Sequence, residues 1–255
     1  MTLSLALLPE LAGLFVLVFA RIGTMTMLMP GFGEQFFSRR MRLTLALMLT
    51  LALLPLVRGS FGALPRELPG LVMLLVAEIV IGLFIGGAIR LVVGTLATAG
   101  TIIAQQIGLG FVTQIDPTQG AQSVILANLM VLTGVMMVFA LDLHLLAVAA
   151  MHNSYTLFRP GFEAPVGDFA QAALMVFAGS FVLAMQIAAP FLVAGTVFQV
   201  AMGVLSRLMP QLQILFLALP AQLLAGFALL AALLATAMAW YGTHVETAIG
   251  RFIMR

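Results

Sequence analysis

Apolar residues fall in six long runs along this chain, separated by short polar or turn-rich stretches. The first covers about residues 5–29 and is stopped by Pro30 and the turn Gly31-Phe32-Gly33-Glu34-Gln35. The second runs from Met41 to Val57, shorter than the ~20 residues a spanning helix normally needs. The third stays apolar from about Gly70 to Val112, broken only by Glu78, Arg90 and two glutamines. At 1.5 Å per residue that is about 60 Å of helix, roughly twice a hydrocarbon core, so it must break, bend or rise out of the membrane. The fourth covers about Ser123 to Met151. The fifth runs from Phe169 to about Leu205 with Pro190 inside, where loss of a helix hydrogen bond predicts a kink. The sixth covers Gln211 to Trp240 and contains Pro220. The runs are continuous and do not alternate, which disfavours a β-barrel. An all-α membrane protein of about six hydrophobic segments is the predicted class.

Composition makes that reading firmer. Hydrophobic residues make up 63% of the chain and charged ones 8%, with a mean hydropathy of +1.19. Soluble domains carry roughly 45–50% apolar and about 25% charged residues, so this chain cannot coat a water-soluble globule. The 11 basic residues are all Arg, and the net charge is +2. No run of four to eight basics flanks an apolar segment, so neither nucleic acid nor anionic lipid is an evident partner. Absence of Cys removes disulfides, thiol nucleophiles and thiolate metal sites. His144, His152 and His244 are scattered without metal-ligand spacing, so no metal or other cofactor is expected. Residues 1–20 lack a basic n-region and carry Glu10, so the first helix is expected to stay in the mature protein.

Two features fit poorly with six ordinary lipid-facing spans. Interfacial anchors are scarce, with one Trp and two Tyr. Alternate loops also fail to separate the arginines: Arg39, Arg40, Arg42 and Arg207 fall on one side, Arg58, Arg66, Arg159, Arg251 and Arg255 on the other. Much of the apolar surface is therefore expected to face protein instead of lipid.

The third segment carries the sharpest local pattern. Glu78, Gly82, Gly86, Arg90 and Gly94 recur every four residues and form one stripe on a helix face. Gly82 and Gly86 make a GxxxG pair, which lets two backbones approach closely. One reading is plain helix packing. The other is that Glu78 and Arg90 meet charges of a partner chain or line a wet path. Downstream, residues 105–117 mix Gln105, Gln106, Gly108, Gly110, Phe111, Val112, Asp116 and Pro117. Such a stretch is either a helix C-terminus followed by a turn, or a pore-facing loop with Phe111 and Val112 as an apolar stopper. Arg207, Pro210 and Gln211 lie in a tight polar turn between two apolar arms, a hairpin tip or an assembly contact. Asp142 and His144 sit inside the fourth run, a weak candidate for a proton relay. No catalytic triad order, phosphate-binding loop or paired carboxylates appear, so an enzyme is not expected.

In order along the chain, these elements resemble the FliR/SctT family of type III secretion export-gate proteins. The resemblance is carried by Arg21; by Pro30 with its Gly-Phe-Gly turn; by RRMRLTLALMLTLALLP; and by Glu78 with the glycine stripe. It continues through AGTIIAQQIGLGFVTQIDP, the Leu-Asp-Leu-His-Leu stretch at 141–145, and MGVLSRLMPQLQILFLALP. It implies a fold of bent helical hairpins packed in a multi-subunit export gate with FliP and FliQ, beside FlhB and FlhA. It also implies a FliP-like portion over about 1–169 with a plug loop near 106–122, and a FliQ-like hairpin over about 170–255. The expected location is the bacterial inner membrane within the flagellar basal body, partly projecting to the periplasmic side. The implied role is to supply pore wall and plug for unfolded flagellar subunits in transit, with an injectisome homologue as the alternative. A small-solute secondary transporter is the rival from another class, and it would call for inverted repeats that the two halves do not display.

Overall fold

A computed structural model describes residues 8–31, 33, 38–62, 64–65, 67–109, 121–161, 166–209 and 214–253. Its regular elements are helices: α1 (Leu8–Leu28), α2 (Arg39–Val57) with a short 3-10 turn at Arg58–Ser60, α3 (Leu68–Gln106), α4 (Ala121–Ala140), α5 (Leu143–Leu157), α6 (Val166–Leu208) and α7 (Ile214–Gly250). Five of these helices are long and apolar enough to cross a membrane, and six spans result if the α4–α5 pair counts as one. The chain is thus an all-α membrane protein.

The boundaries follow local chemistry. Ser38 opens α2 by accepting the Met41 N–H at 3.3 Å, which satisfies one of the donors that a helix start leaves over. The third run forms one uninterrupted helix of 39 residues, so its excess over a bilayer is not relieved by a break. Pro190 likewise sits inside the continuous 43-residue α6. The fourth run is where the chain does break. Leu141 and Asp142 separate α4 from α5, and the two helices turn by 76°. Asp142 takes a left-handed backbone conformation (φ 56) at this joint and is exposed, so it is a joint residue and not a group buried inside a span. Its neighbour α5 reaches Leu157, beyond the expected end at Met151.

Two compact units divide the chain. The first contains residues 1–92, 138–177 and 245–255, the second 93–137 and 178–244. In the first, α2 packs on α1 and on α5, around buried Val18, Ile22, Met25, Ile85, Ile89, Ala150 and Met151. Phe84 stacks on Phe169 at 4.2 Å between ring centroids, and Phe158 meets Phe169 edge-on at 5.1 Å. In the second, the later part of α3 packs on α4. A Cβ at Gly100 would come within 2.7 Å of the Ala127 backbone, so the glycine sets how close these two helices lie. Leu96, Ile103, Leu126, Met130, Ala184, Ile187, Phe191 and Tyr241 form that unit's core. Much apolar surface is left uncovered: only 22% of the most apolar window of α3 is buried, and the same holds for α7.

Candidate functional site

The first unit is organised around a buried charge. Arg21, halfway along α1, forms a two-pronged pair with Glu78 of α3: Nε donates to Oε2 at 2.6 Å and Nη2 to Oε1 at 2.8 Å. Both side chains are 0% exposed. Nη1 donates to the carbonyls of Ser154 and Phe158, each at 2.9 Å, the last turn and C-cap of α5. The guanidinium also lies 4.2 Å over the Tyr155 ring. Four of its five N–H donors are thus engaged. Its charge meets a carboxylate, a helix C-terminus and an aromatic face, which all favour a cation. Gly82 explains the registry. A Cβ there would overlap Thr24 Oγ1 and lie 2.6 Å from the Arg21 carbonyl oxygen. One turn before it, Glu78 is thereby held against Arg21. Gly86 extends the contact, with the Leu28 Cβ and Met25 backbone 3.0–3.1 Å from where its Cβ would be.

In the second unit, the end of α3 is the counterpart. Gly108 has φ +95, its N–H reaches Gln105 O at 3.3 Å, and the Leu109 N–H reaches Ala104 O at 3.0 Å. These paired bonds close the helix as a glycine cap, the left-handed termination that spares the last carbonyls. The cap is seated between α6 and α7. Gly195 makes room for the Gln106 side chain and Gly226 for Ile107, while Gln222 Nε2 donates to Gln106 O at 2.8 Å. A cavity of about 70 Å³ lies beside them, lined by Gln106, Phe191, Gly195, Phe198, Gln222 and Gly226 among others.

Other residues singled out from the pattern fare differently. Glu78, Gly82 and Gly86 are brought together on α1, and Glu78 pairs within its own chain. Arg90 lies exposed on the same helix, and a Cβ at Gly94 would meet nothing within 4 Å. Gln106 and Gly108 belong to the helix cap. Gly110, Phe111, Val112, Asp116, Pro117, Pro210 and Gln211 lie outside the described residues. Arg207 is exposed in the last turn of α6. Among the described residues, no group of three His, Asp or Glu is placed to hold a metal ion.

The family described as bacterial export proteins, family 1, matches residues 12–248. The chain belongs to the FliR family of bacterial export proteins. It is 42% identical over 231 residues to the flagellar biosynthetic protein FliR of Caulobacter vibrioides, covering 90% of this chain and 92% of that one. To the FliR of Escherichia coli K12 it is 30% identical over 213 residues, covering 80% and 78%. To that of Bacillus subtilis it is 25% identical over 225 residues, covering 85% and 84%. As a FliR-family chain it is a structural membrane component of the flagellar export apparatus, not an enzyme, and it works with other export subunits in the inner membrane.

Arg21, the hub of this FliR-family chain, was visible in the sequence only as a mark of resemblance. A stronger signal was present. It is the one charge between Glu10 and Glu34, in the middle of an apolar run, and an ionisable residue in that setting calls for a partner of opposite sign. Gln222 was not singled out either, since one amide in an apolar arm has no period to expose it.

Proposed function

We propose that this chain is a structural and gating subunit of the flagellar type III protein-export channel, contributing pore wall and a plug for unfolded flagellar subunits crossing the inner membrane. Family membership over residues 12–248 carries the reading, because the match takes in the arms and the whole of 105–117. In this proposal Phe111 and Val112 form an apolar stopper, with Gly110, Asp116 and Pro117 shaping the loop near 106–122. Support comes from the base of that loop. The glycine cap at Gly108, the seats at Gly195 and Gly226, and the Gln222 bond fix where α3 ends.

Partners of the FliP, FliQ, FlhB and FlhA type complete the proposed channel, with residues 1–169 as a FliP-like portion and 170–255 as a FliQ-like hairpin. Facing residues of α6 and α7 across the cavity agree with a hairpin of that kind. Apolar residues exposed along α6, from Leu174 through Val193, Val197 and Val200 to Leu208, span about 50 Å of helix, more than a ~30 Å hydrocarbon core covers. The remainder is proposed to lie against sister subunits, in a part of the assembly on the periplasmic side. Arg207, Pro210 and Gln211 are proposed as assembly contacts at the hairpin tip, and Arg90 and Gly94 as contacts on α3.

The test is ion conductance of the assembled complex in planar bilayers. Phe111→Gly with Val112→Gly, or deletion of 110–115 (which spares the Gly108 cap), is expected to make the closed channel leak small ions. Conductance equal to the parent complex would remove the plug assignment.

A further inference from the structure

The end of α3 holds a polar group that its surroundings do not satisfy. Gln106 Oε1 is buried and finds no hydrogen-bond partner among the described residues. A buried acceptor left unpaired is costly, so such groups in folded proteins are almost always met by protein or by ordered water. The adjoining cavity of about 70 Å³ is several times the ~10–15 Å³ that one water needs. Its lining includes two amides, Gln106 and Gln222, within a largely apolar wall. One of these is already in use: Gln222 Nε2 donates to the backbone carbonyl of Gln106 at 2.8 Å. That carbonyl belongs to the last turn of α3, where carbonyls lack partners inside the helix. Room for the arrangement is provided by glycine, since a Cβ at Gly195 would collide with Gln106 Oε1.

We propose that this cavity is a water site, and that Gln222, Gln106 and the bound water form a polar latch that keeps the last turn of α3 wound. Water donates to Gln106 Oε1, and Gln222 supplies the N–H that the helix end lacks. The latch sits on described residues at the root of 110–117 and acts on the helix end itself. It stands whether or not that stretch plugs a pore.

Its test uses the full chain in its purified membrane complex, with amide hydrogen exchange read at Gly108 and Leu109 and thermal unfolding read in parallel. Gln222→Leu keeps the bulk of the side chain and removes the donor. Exchange at both amides is expected to quicken about fivefold, the worth of one hydrogen bond near 1 kcal/mol, while exchange in the first half of α3 is unchanged. Gln222→Glu, of the same size and unable to donate when ionised, is expected to do the same. Unchanged exchange in both variants would overturn the latch. Gln106→Leu tests the water. If water satisfies Oε1, the substitution leaves the melting temperature unchanged or lowers it. A rise of several degrees would mean that a dry, unsatisfied oxygen had been removed, and the water site would be lost. Conductance of the Phe111 and Val112 variants is a separate readout, so failure of either proposal leaves the other standing.

Discussion

Replacing Glu78 by Met should expose how much of the first unit rests on Arg21. The substitution keeps the packing volume and removes the acceptor for Nε and Nη2, leaving a fully buried guanidinium with its carboxylate partner lost. Breaking a buried pair from one side costs about 3–5 kcal/mol. At roughly 2–4 °C per kcal/mol for a chain of this size, the melting temperature of the purified complex should fall by about 6–20 °C. Arg21→Met should also be severe, since it strands the carboxylate and takes a donor from the Ser154 and Phe158 carbonyls. The double variant Arg21→Met/Glu78→Met should be milder than either single one, because no buried charge remains unpaired. Exchanging the two charges gives the sharpest check. Arg21→Glu with Glu78→Arg restores opposite signs but turns a carboxylate toward two carbonyl oxygens and an aromatic face. It should therefore fail to recover stability. Thermal unfolding followed by light scattering or intrinsic fluorescence measures all four variants. Recovery by the exchanged pair to within about 0.5 kcal/mol of the parent would show that the carbonyl and ring contacts contribute nothing, and the three-way account of Arg21 would be wrong.

Gly82→Ala should destabilise by about 1–3 kcal/mol, because its methyl would overlap Thr24 Oγ1 and crowd the Arg21 backbone. Gly94→Ala on the same stripe meets nothing within 4 Å inside the chain, so a loss of stability in the purified complex is expected only from the proposed contact with a sister subunit, and a melting curve that is unchanged or raised by up to about 1 kcal/mol would remove that contact. At the α4–α5 joint, Asp142→Val should cost about 1–2 kcal/mol because a β-branched residue resists the left-handed conformation at φ 56, whereas Asp142→Gly should be tolerated. Equal yields and melting temperatures for those two joint variants would show that the 76° turn does not depend on that conformation.

Most of the helical layout was readable from hydropathy, since each long apolar run is helical, the fourth as two helices, and the run of α3 was bounded to within a few residues at its start. Its end was left open, with a helix C-terminus as one of two readings of residues 105–117. The residues Ile107 to Val112 are as apolar as those before them, and only the seat between Gly195 and Gly226 shows why the helix closes at Gly108. The break at Leu141–Asp142 was missed for a different reason: Leu-Asp-Leu-His-Leu contains neither Gly nor Pro, so nothing local announces a left-handed residue. Gly82 and Gly86 were legible as a close-approach pair, but the helix they approach was not, because a four-residue period fixes a face and not its neighbour. Glu78 was left between plain helix packing and a charge meeting a partner chain or a wet path, and Arg21 absorbs it inside the chain. Long-range pairing of that kind needs both coordinates, and only scarcity of charge in apolar runs hints at it.

Helices this apolar, with this little of their surface covered within the chain, fit the proposed packing against sister subunits around a conduit. Tagging the chain in cells that produce the export apparatus and measuring the mass of what purifies with it tests that most directly. One stable complex containing subunits of the FliP and FliQ type is expected. A monodisperse, folded single chain surrounded only by lipid or detergent would contradict it.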